Sequence, residues 1–207
     1  MNKNEKFVIT INREVGSGGR TIGEIMAAKL GVTFYDKGVI DALCKKYNLS
    51  VKEIESLKGR EHDWWSDFLR VLGFVEENTS SVINEPDLLN ASDVFKAEIK
   101  ILQDLAEAGS CVIAGRSGFF VFQDHPNRLN ILITSPMEQR IQRIVNKHGM
   151  STEEAAKIIE DVDKMRENYV KKFAGTTRYD TRNYDLVINR GGKTDEEMAD
   201  LIVQYIG

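Results

Sequence analysis

Residues 7–21 of this 207-residue chain read FVITINREVGSGGRT, an apolar run over Phe7–Ile11 followed by a glycine-rich loop. β-Branched residues in a short apolar run are typical of a buried strand in a parallel sheet. The next segment, Arg20–Leu30, places its apolar residues at helical spacing, and Gly31 is a suitable stop. A buried strand, a glycine turn and a helix in this order form the setting in which backbone N–H groups bind phosphate.

Strand and helix patterns alternate along the rest of the chain. Further apolar strands are predicted over Val32–Tyr35, Cys111–Ala114, Leu129–Thr134 and Leu186–Ile188. Helices are predicted over Ser92–Ala108 and Ala155–Phe173, and after the capping boxes that begin at Ser135, Ser151 and Thr194. This alternation predicts an α/β fold of three layers, a parallel sheet with helices on both faces. Ligands of such folds bind at the carboxyl ends of the strands.

Composition excludes several classes of protein. The net charge is −4, from 28 basic and 32 acidic residues, which argues against a nonspecific nucleic-acid binder. Two cysteines without a CxxC pair argue against a disulfide scaffold, and the three histidines lack metal-ligand spacing. No apolar run approaches the ~20 residues of a membrane helix. The chain opens on a strand without a secretory signal pattern, so we expect one domain over residues 1–207 in the cytoplasm, away from membranes.

The loop departs from the phosphate-loop pattern G-x-x-x-x-G-K-[ST] in an informative way. In one register Glu14 replaces the first glycine, Arg20 replaces the lysine and Thr21 fits the hydroxyl position. The lysine is therefore missing in this register. A glycine turn that binds nothing is the alternative interpretation.

Five segments carry a family resemblance. They are ITINREVGSGGRTIGEIMAAKLGVTFYDKGVI from residue 9, CVIAGRSGFF from residue 111, EQRIQRI from residue 138, Asp163–Arg166 and NYDLVIN from residue 183. Together they resemble the cytidylate kinase-like family of bacterial P-loop proteins, with residues 58–90 least similar. The resemblance implies a P-loop fold and transfer of the ATP γ-phosphoryl group, with Mg²⁺, to a nucleoside monophosphate. It also implies a helical acceptor-side insert over residues 50–95 and a lid-like helical region over residues 137–180.

The resemblance implies a second register for the glycine loop as well. Gly16 and Gly18 align with the glycines of the family, Gly19 falls at the lysine position and Thr21 again matches the hydroxyl residue. Both registers lack the lysine, so Arg20, or Arg13 from the other side, would supply its charge.

The resemblance assigns roles to individual residues. We expect the ATP phosphates to bind at Gly16, Ser17, Gly18, Gly19, Arg20 and Thr21, with the Thr21 hydroxyl on Mg²⁺. Arg116 resembles the arginine of a Gly-Arg-Asp motif that holds the acceptor's phosphate, although Ser117 replaces the aspartate. The other expected acceptor-binding residues are Asp36 and Asp163. The developing charge would be neutralised by Arg20, Arg140, Arg143 and Arg166.

Each assignment has a plainer alternative. The alternative role of Arg116 is a surface ion pair, and that of Asp36 is a helix cap. The arginines of residues 137–180 would suit a solvated charged helix pair, although residues 164–193 hold eight basic residues against three acidic ones. An apolar stripe, Trp65, Phe68, Leu69 and Leu72, indicates core packing, a homodimer interface or an acceptor-binding subdomain.

Two alternative functions remain at this stage. The Ser117 departure favours a kinase of another small-molecule acceptor. The missing lysine favours a nucleotide-binding regulator that transfers nothing.

Overall fold

The computed structural model describes residues 1–36 and 91–207, and for residues 91–98 it describes the backbone alone. The insert predicted over residues 50–95 lies outside the described residues, apart from the helical backbone of its last five positions. The stripe that begins at Trp65, and with it the predicted homodimer interface, also lies outside them.

The part of the chain that the structure describes contains five parallel strands, which form one sheet. They are β1 (Val8–Arg13), β2 (Thr33–Tyr35), β3 (Cys111–Ala114), β4 (Arg128–Thr134) and β5 (Leu186–Asn189), in the spatial order β2-β3-β1-β4-β5. In register, Val8 lies opposite Cys111 on one side and Arg128 on the other. The predicted parallel sheet is confirmed. Because β1 is central, the loop that follows it has neighbouring loops on both sides.

Helices cover both faces of the sheet. They are α1 (Gly19–Leu30), α2 (Ala91–Ala108), α3 (Gly118–Val121), α4 (Met137–His148), α5 (Thr152–Ala174) and α6 (Asp195–Ile206), with a short 3₁₀ helix at Thr181–Asn183. Ile9 and Ile11 point to one face and pack in a cluster with residues of α1 and α6. Val8 points to the other face and packs with residues of α2. The side chains of β1 are buried on both faces, which explains its continuous apolar sequence. The three-layer α/β prediction is confirmed.

A helix begins after each of the three predicted capping boxes, but only two of the boxes form. Ser151 and Thr194 cap α5 and α6 reciprocally with Glu154 and Glu197. The box at Ser135 is wrong, because Pro136 is the N-cap residue of α4 and no side chain caps that helix. The Ser135 N–H instead donates to Glu14 Oε2 at 3.1 Å, so a contact with the glycine loop replaces the local one.

A third apolar cluster joins α4 and α5 to the glycine loop. Val15 of the loop packs with Ile144 of α4 and with Ile158, Ile159 and Val162 of α5. This cluster positions the two helices beside the carboxyl edge of the sheet. Among the described helices, none is both long and apolar enough to cross a membrane.

Candidate active site at the carboxyl edge of the sheet

The glycine loop after β1 presents backbone N–H groups at the start of α1. Gly16 and Gly18 have left-handed φ angles of 79° and 87°, and Gly18 is the N-cap residue of α1. The first hydrogen bond of the helix runs from the Ile22 N–H to the Gly18 carbonyl at 3.0 Å. The N–H groups of Gly19, Arg20 and Thr21 therefore have no carbonyl partner within the helix. With the helix dipole, they form a site suited to an anion.

Arg140 and Asp163 hold this loop from behind. Arg140 Nε donates to the Val15 carbonyl at 2.7 Å, and its guanidinium forms an ion pair with Asp163. The Asp163 carboxylate also accepts the Val15 N–H at 3.2 Å and Arg178 Nη1 at 3.2 Å. Both polar groups of Val15 are thus bonded to helices α4 and α5. Neither Arg140 nor Asp163 lines the two cavities described below. Their contacts with Val15 position the glycine loop instead.

Ser17 also supports the loop. Its side chain is fully buried, and its Oγ donates to the Glu14 carbonyl at 2.9 Å. The Ser17 N–H donates to the same carbonyl at 3.3 Å, so both donors of Ser17 are engaged within the loop and neither is left for the expected contact with phosphate.

A cavity of about 70 Å³, the phosphate cavity, opens over the loop. The loop contributes Gly16, Gly18, Gly19 and Thr21. Five basic side chains also line it, those of Arg13, Arg20, Arg143, Lys147 and Arg166. Glu14 is the one carboxylate among the described lining residues. Such a concentration of positive charge in an acidic protein favours an anionic ligand.

A second cavity of about 160 Å³, the acceptor cavity, lies beside it. Asp36 and Arg116 both line this cavity, so the structure brings these two predicted acceptor residues together. Arg13, Arg20 and Arg166 line both cavities and form the junction between them. Of the predicted catalytic arginines, Arg20, Arg143 and Arg166 reach a cavity, and Arg20 and Arg166 reach the junction.

Arg20 is shared between two carboxylates. Its Nε contacts Asp36 Oδ2 at 2.7 Å, and its Nη2 contacts Glu24 Oε1 at 2.9 Å, one turn along α1. The predicted helix-cap alternative for Asp36 lies with residues that follow it, outside the described part of the chain. The Arg20–Asp36 pair lies where the two cavities adjoin and lowers the net charge there.

The hydroxyl of Thr21, which lines the phosphate cavity, would suit a magnesium ion that arrives bound to phosphates. Magnesium takes few protein ligands in such sites and completes its shell with phosphate and water oxygens. The described residues contain no group of three or more His, Cys, Asp or Glu side chains that could hold a metal without a nucleotide. Arg143 Nη2 lies 3.5 Å from Thr21 Oγ1, and the charge of this guanidinium is offset by contacts of 3.0 and 2.5 Å to Asp195.

The turn after β3 is strained where it meets the acceptor cavity. Arg116 and Ser117 have φ angles of 53° and 51°, which costs a non-glycine residue about 1–2 kcal/mol. Such outliers cluster at ligand sites. Burial lowers the pKa of Arg116, and a hydrogen bond with the Tyr169 side chain opposes that shift. The Ser117 hydroxyl is buried, lines the cavity and has no hydrogen-bond partner among the described residues.

Arg178 is the main residue that the sequence analysis missed. Its side chain is fully buried; it contacts Asp163 and donates through Nη2 to the Arg13 carbonyl. Arg166 Nη1 donates to the same carbonyl at 3.1 Å. Burial, followed by the charges of Arg13 and Arg178, moves the pKa of Arg166 well below its ordinary value. The excess of basic over acidic residues in the stretch 164–193 indicates such a cluster in the sequence, but it does not distinguish Arg178 from the other basic residues.

The comparison with known proteins bears directly on this geometry. A profile described as the cytidylate kinase-like family matches residues 8–191, which include the loop, both cavities and helices α4 and α5. This chain belongs to the cytidylate kinase-like family. Its fold is the P-loop α/β fold, and family membership supports a nucleotide or small-molecule kinase.

Individual proteins that resemble this family member do so at low sequence identity or over part of their length. A cytidylate kinase from Ignicoccus hospitalis is 22% identical over 200 residues, which cover 96% of this chain and 98% of that one. A uronate isomerase from Corynebacterium glutamicum is 33% identical over 104 residues, but these span 50% of this chain and only 20% of the isomerase. A solved structure of an uncharacterized protein from Eubacterium ventriosum has a TM-score of 0.71 at 21% identity and covers 97% of this chain and 98% of that one.

Proposed function

We propose that this protein transfers the γ-phosphoryl group of ATP to a nucleoside monophosphate, as a cytidylate kinase-like enzyme. The observation that carries the proposal is the junction at which Arg13, Arg20 and Arg166 line both the phosphate cavity and the acceptor cavity. Phosphoryl transfer depends on positioning and on positive charge around the moving group. A site with cations between two adjoining anion pockets matches that requirement.

The donor would bind over the glycine loop. The free N–H groups of Gly19, Arg20 and Thr21 would hold the β- and γ-phosphates, together with Arg143 from α4. Magnesium bound by the phosphates and Thr21 would supply charge neutralisation to the leaving diphosphate.

The acceptor would bind with its phosphate on Arg116, because a guanidinium holds phosphate through two hydrogen bonds. An oxygen of that phosphate attacks the γ-phosphorus, and the bond from the γ-phosphorus to the β,γ-bridging oxygen breaks. The products are ADP and a nucleoside diphosphate. The three junction arginines would stabilise the charge on the transferring group.

The helices over residues 137–180 would act as a lid. Residues of α4 line the phosphate cavity, and residues of α5 line the acceptor cavity. Movement of this pair relative to the sheet would admit substrates and then exclude water. We also place the enzyme in the cytoplasm, where the buried free thiol of Cys111 would remain reduced.

A coupled assay of ADP release tests the function. Purified protein with MgATP is offered CMP, dCMP, UMP, AMP and GMP in turn, with a reaction lacking acceptor as control. We expect turnover with at least one monophosphate. The nucleotide kinase proposal fails if none is phosphorylated at millimolar concentration.

A kinase of another small-molecule acceptor is the second candidate. The buried hydroxyl of Ser117, without a partner among the described residues, would hydrogen-bond a ligand in the acceptor cavity where the resembling kinases carry an aspartate. Turnover of a small alcohol in the same assay, without turnover of any monophosphate, supports this candidate. ATP binding by calorimetry with no product from any acceptor supports the nucleotide-binding regulator instead.

A further inference from the structure

We propose that Arg13, the last residue of β1, supplies the cation that the glycine loop lacks at position 19. The inference rests on the proposed function, because it assigns the residue that holds the phosphates of the donor. Three observations support the assignment of Arg13.

The stem of Arg13 occupies the space of a side chain at position 19. A Cβ added to Gly19 would lie 2.6 Å from Arg13 Cβ and 2.9 Å from Arg13 Cγ, closer than real Cβ atoms pack. Gly19 is the first residue of α1 and lies at the lysine position of the second loop register. Glycine at position 19 and arginine at position 13 are therefore sterically matched. A lysine at position 19 would require a smaller residue at position 13.

The head of Arg13 crosses to the turn after β3. A Cβ added to Gly115 would overlap Arg13 Nη1, so a second glycine leaves room for the guanidinium. The side chain thus extends from the glycine loop to the acceptor side and lines both cavities on the way. A cation in this position can contact a γ-phosphate before and after its transfer.

Arg13 is also held in place without being neutralised. Its carbonyl accepts from Arg166 Nη1 and Arg178 Nη2, and its N–H donates to Asn12 Oδ1 at 3.0 Å. Among the described residues no carboxylate forms an ion pair with its guanidinium, whereas Arg20 and Arg143 are both paired. Burial, and then the charge of Arg178, lowers the pKa of Arg13 to about 10, so the group is a cation at neutral pH. A bound phosphate would relieve this accumulation of positive charge.

Exchange of the side chains at positions 13 and 19 tests the inference. The variants are Arg13→Gln, which removes the charge and keeps most of the stem, Arg13→Gly, Gly19→Lys and the double variant Arg13→Gly/Gly19→Lys. Arg182→Gln, which removes an exposed arginine that lines neither of these two cavities, is the matched control. Binding of MgATP and of inorganic tripolyphosphate is measured by calorimetry without acceptor, and circular dichroism verifies that each variant is folded.

We expect Arg13→Gln and Arg13→Gly to weaken both ligands about 10- to 100-fold, the effect of one charge-assisted contact. Gly19→Lys alone should also bind weakly, because Arg13 blocks the new side chain. The double variant should recover most of the affinity, and Arg182→Gln should match the wild type.

The inference is overturned if Arg13→Gln binds tripolyphosphate within twofold of the wild type, or if the wild type does not bind it. It is also overturned if Gly19→Lys alone binds as well as the double variant. Product formation tests the proposed function separately. Turnover that is insensitive to Arg13→Gln removes this inference and leaves the kinase, whereas Arg13-dependent binding without any product leaves the inference and removes the kinase.

Discussion

Gly16 and Gly31 share a left-handed backbone but have different surroundings. Their φ angles are 79° and 66°. A Cβ added to Gly16 would lie 2.7 Å from the Arg140 carbonyl oxygen, whereas nothing lies within 4 Å of one added to Gly31. A substitution at Gly31 therefore measures the energetic cost of the left-handed backbone alone. A substitution at Gly16 measures that cost together with the cost of a steric clash with α4.

Alanine at these two glycines should separate the contributions. Gly31→Ala should lower the free energy of unfolding by about 1 kcal/mol, the usual cost of a left-handed non-glycine residue. Gly16→Ala should exceed it by about 1–3 kcal/mol, because α4 must move away. Urea denaturation of both variants measures the difference. Equal losses would show that the contact with Arg140 has no energetic weight.

Arg116 is the residue on which acceptor recognition should depend most. Arg116→Gln should lower kcat/KM for the accepted monophosphate about 10- to 100-fold, since a charge-assisted contact to phosphate is lost. The dissociation constant of ATP should change little. Steady-state kinetics and calorimetry provide the two numbers, and Arg128→Gln, on β4 outside both cavities, is the control. A tenfold loss of ATP affinity would place Arg116 on the donor side instead.

Helix α5 is bonded to the glycine loop through one carboxylate, that of Asp163. Asp163 bonds the loop at Val15 and contacts Arg140 and Arg178, and its side chain is 13% exposed. Removal of one partner from such a cluster leaves cations without compensation. The attachment of α5 to the glycine loop therefore depends on Asp163 more than on the exposed charged residues of this helix.

Asp163→Ala should lower the free energy of unfolding by about 3 kcal/mol, within the range for breaking a buried ion pair. It should also weaken ATP binding, because the Val15 N–H loses its acceptor and the loop loosens. Glu160→Ala, an exposed position on the same helix, should change neither. Urea denaturation and calorimetry check both effects. Normal stability with lost acceptor turnover would favour the original prediction that Asp163 binds substrate.

The capping box of α5 should contribute to acid sensitivity. Hydrogen bonds from the Ser151 backbone and side chain lower the pKa of Glu154 below its ordinary value of 4.5. The ionised form is thus favoured in the folded state, so this stabilisation is present above pH 4.5 and is lost as the pH falls through the folded-state pKa. Glu154→Gln should remove this part of the pH dependence between pH 5 and pH 3. Thermal unfolding at several pH values measures it; identical slopes would contradict the assignment.

Charge is distributed unevenly over the molecule. The chain carries a net charge of −4, yet five permanent cations surround the phosphate cavity. The mutual repulsion of these cations opposes folding, and a bound anion would offset it. A polyphosphate ligand should therefore stabilise the whole protein, in addition to occupying its site.

MgATP at 100 times its dissociation constant should raise the free energy of unfolding by about 2.7 kcal/mol, as binding to the folded state alone requires. Adenosine at the same concentration should have little effect, because it lacks the phosphates that the cavity would bind. Urea denaturation with each ligand compares them. Equal stabilisation by adenosine would place the main contacts on the base rather than on the phosphates.

The alternation of apolar strands with helices was sufficient to predict the fold, and the glycine loop over Gly16–Thr21 joins, as predicted, the first strand to the first helix. Local patterns determine these features, because strand burial and glycine turns depend on residues adjacent in the chain. The capping box predicted at Ser135 does not form, because the Ser135 N–H donates to Glu14, which lies 121 positions away and is invisible to a local pattern. Arg140 was predicted to neutralise charge in the reaction and Asp163 to bind the acceptor, whereas the structure gives them contacts with Val15 of the glycine loop and with each other.

Neighbouring residues in the chain therefore dictated the α/β class, most helix ends and the phosphate loop. The packing of distant segments decided which cations face a cavity: Asp163 lies 148 positions from the Val15 N–H that it accepts, and Arg178 lies 165 positions from the Arg13 carbonyl. An arginine looks the same in sequence whether it holds a loop or faces a ligand. Its role depends on which carboxylates and carbonyls the folded chain brings within hydrogen-bond distance, and that is a property of the tertiary structure.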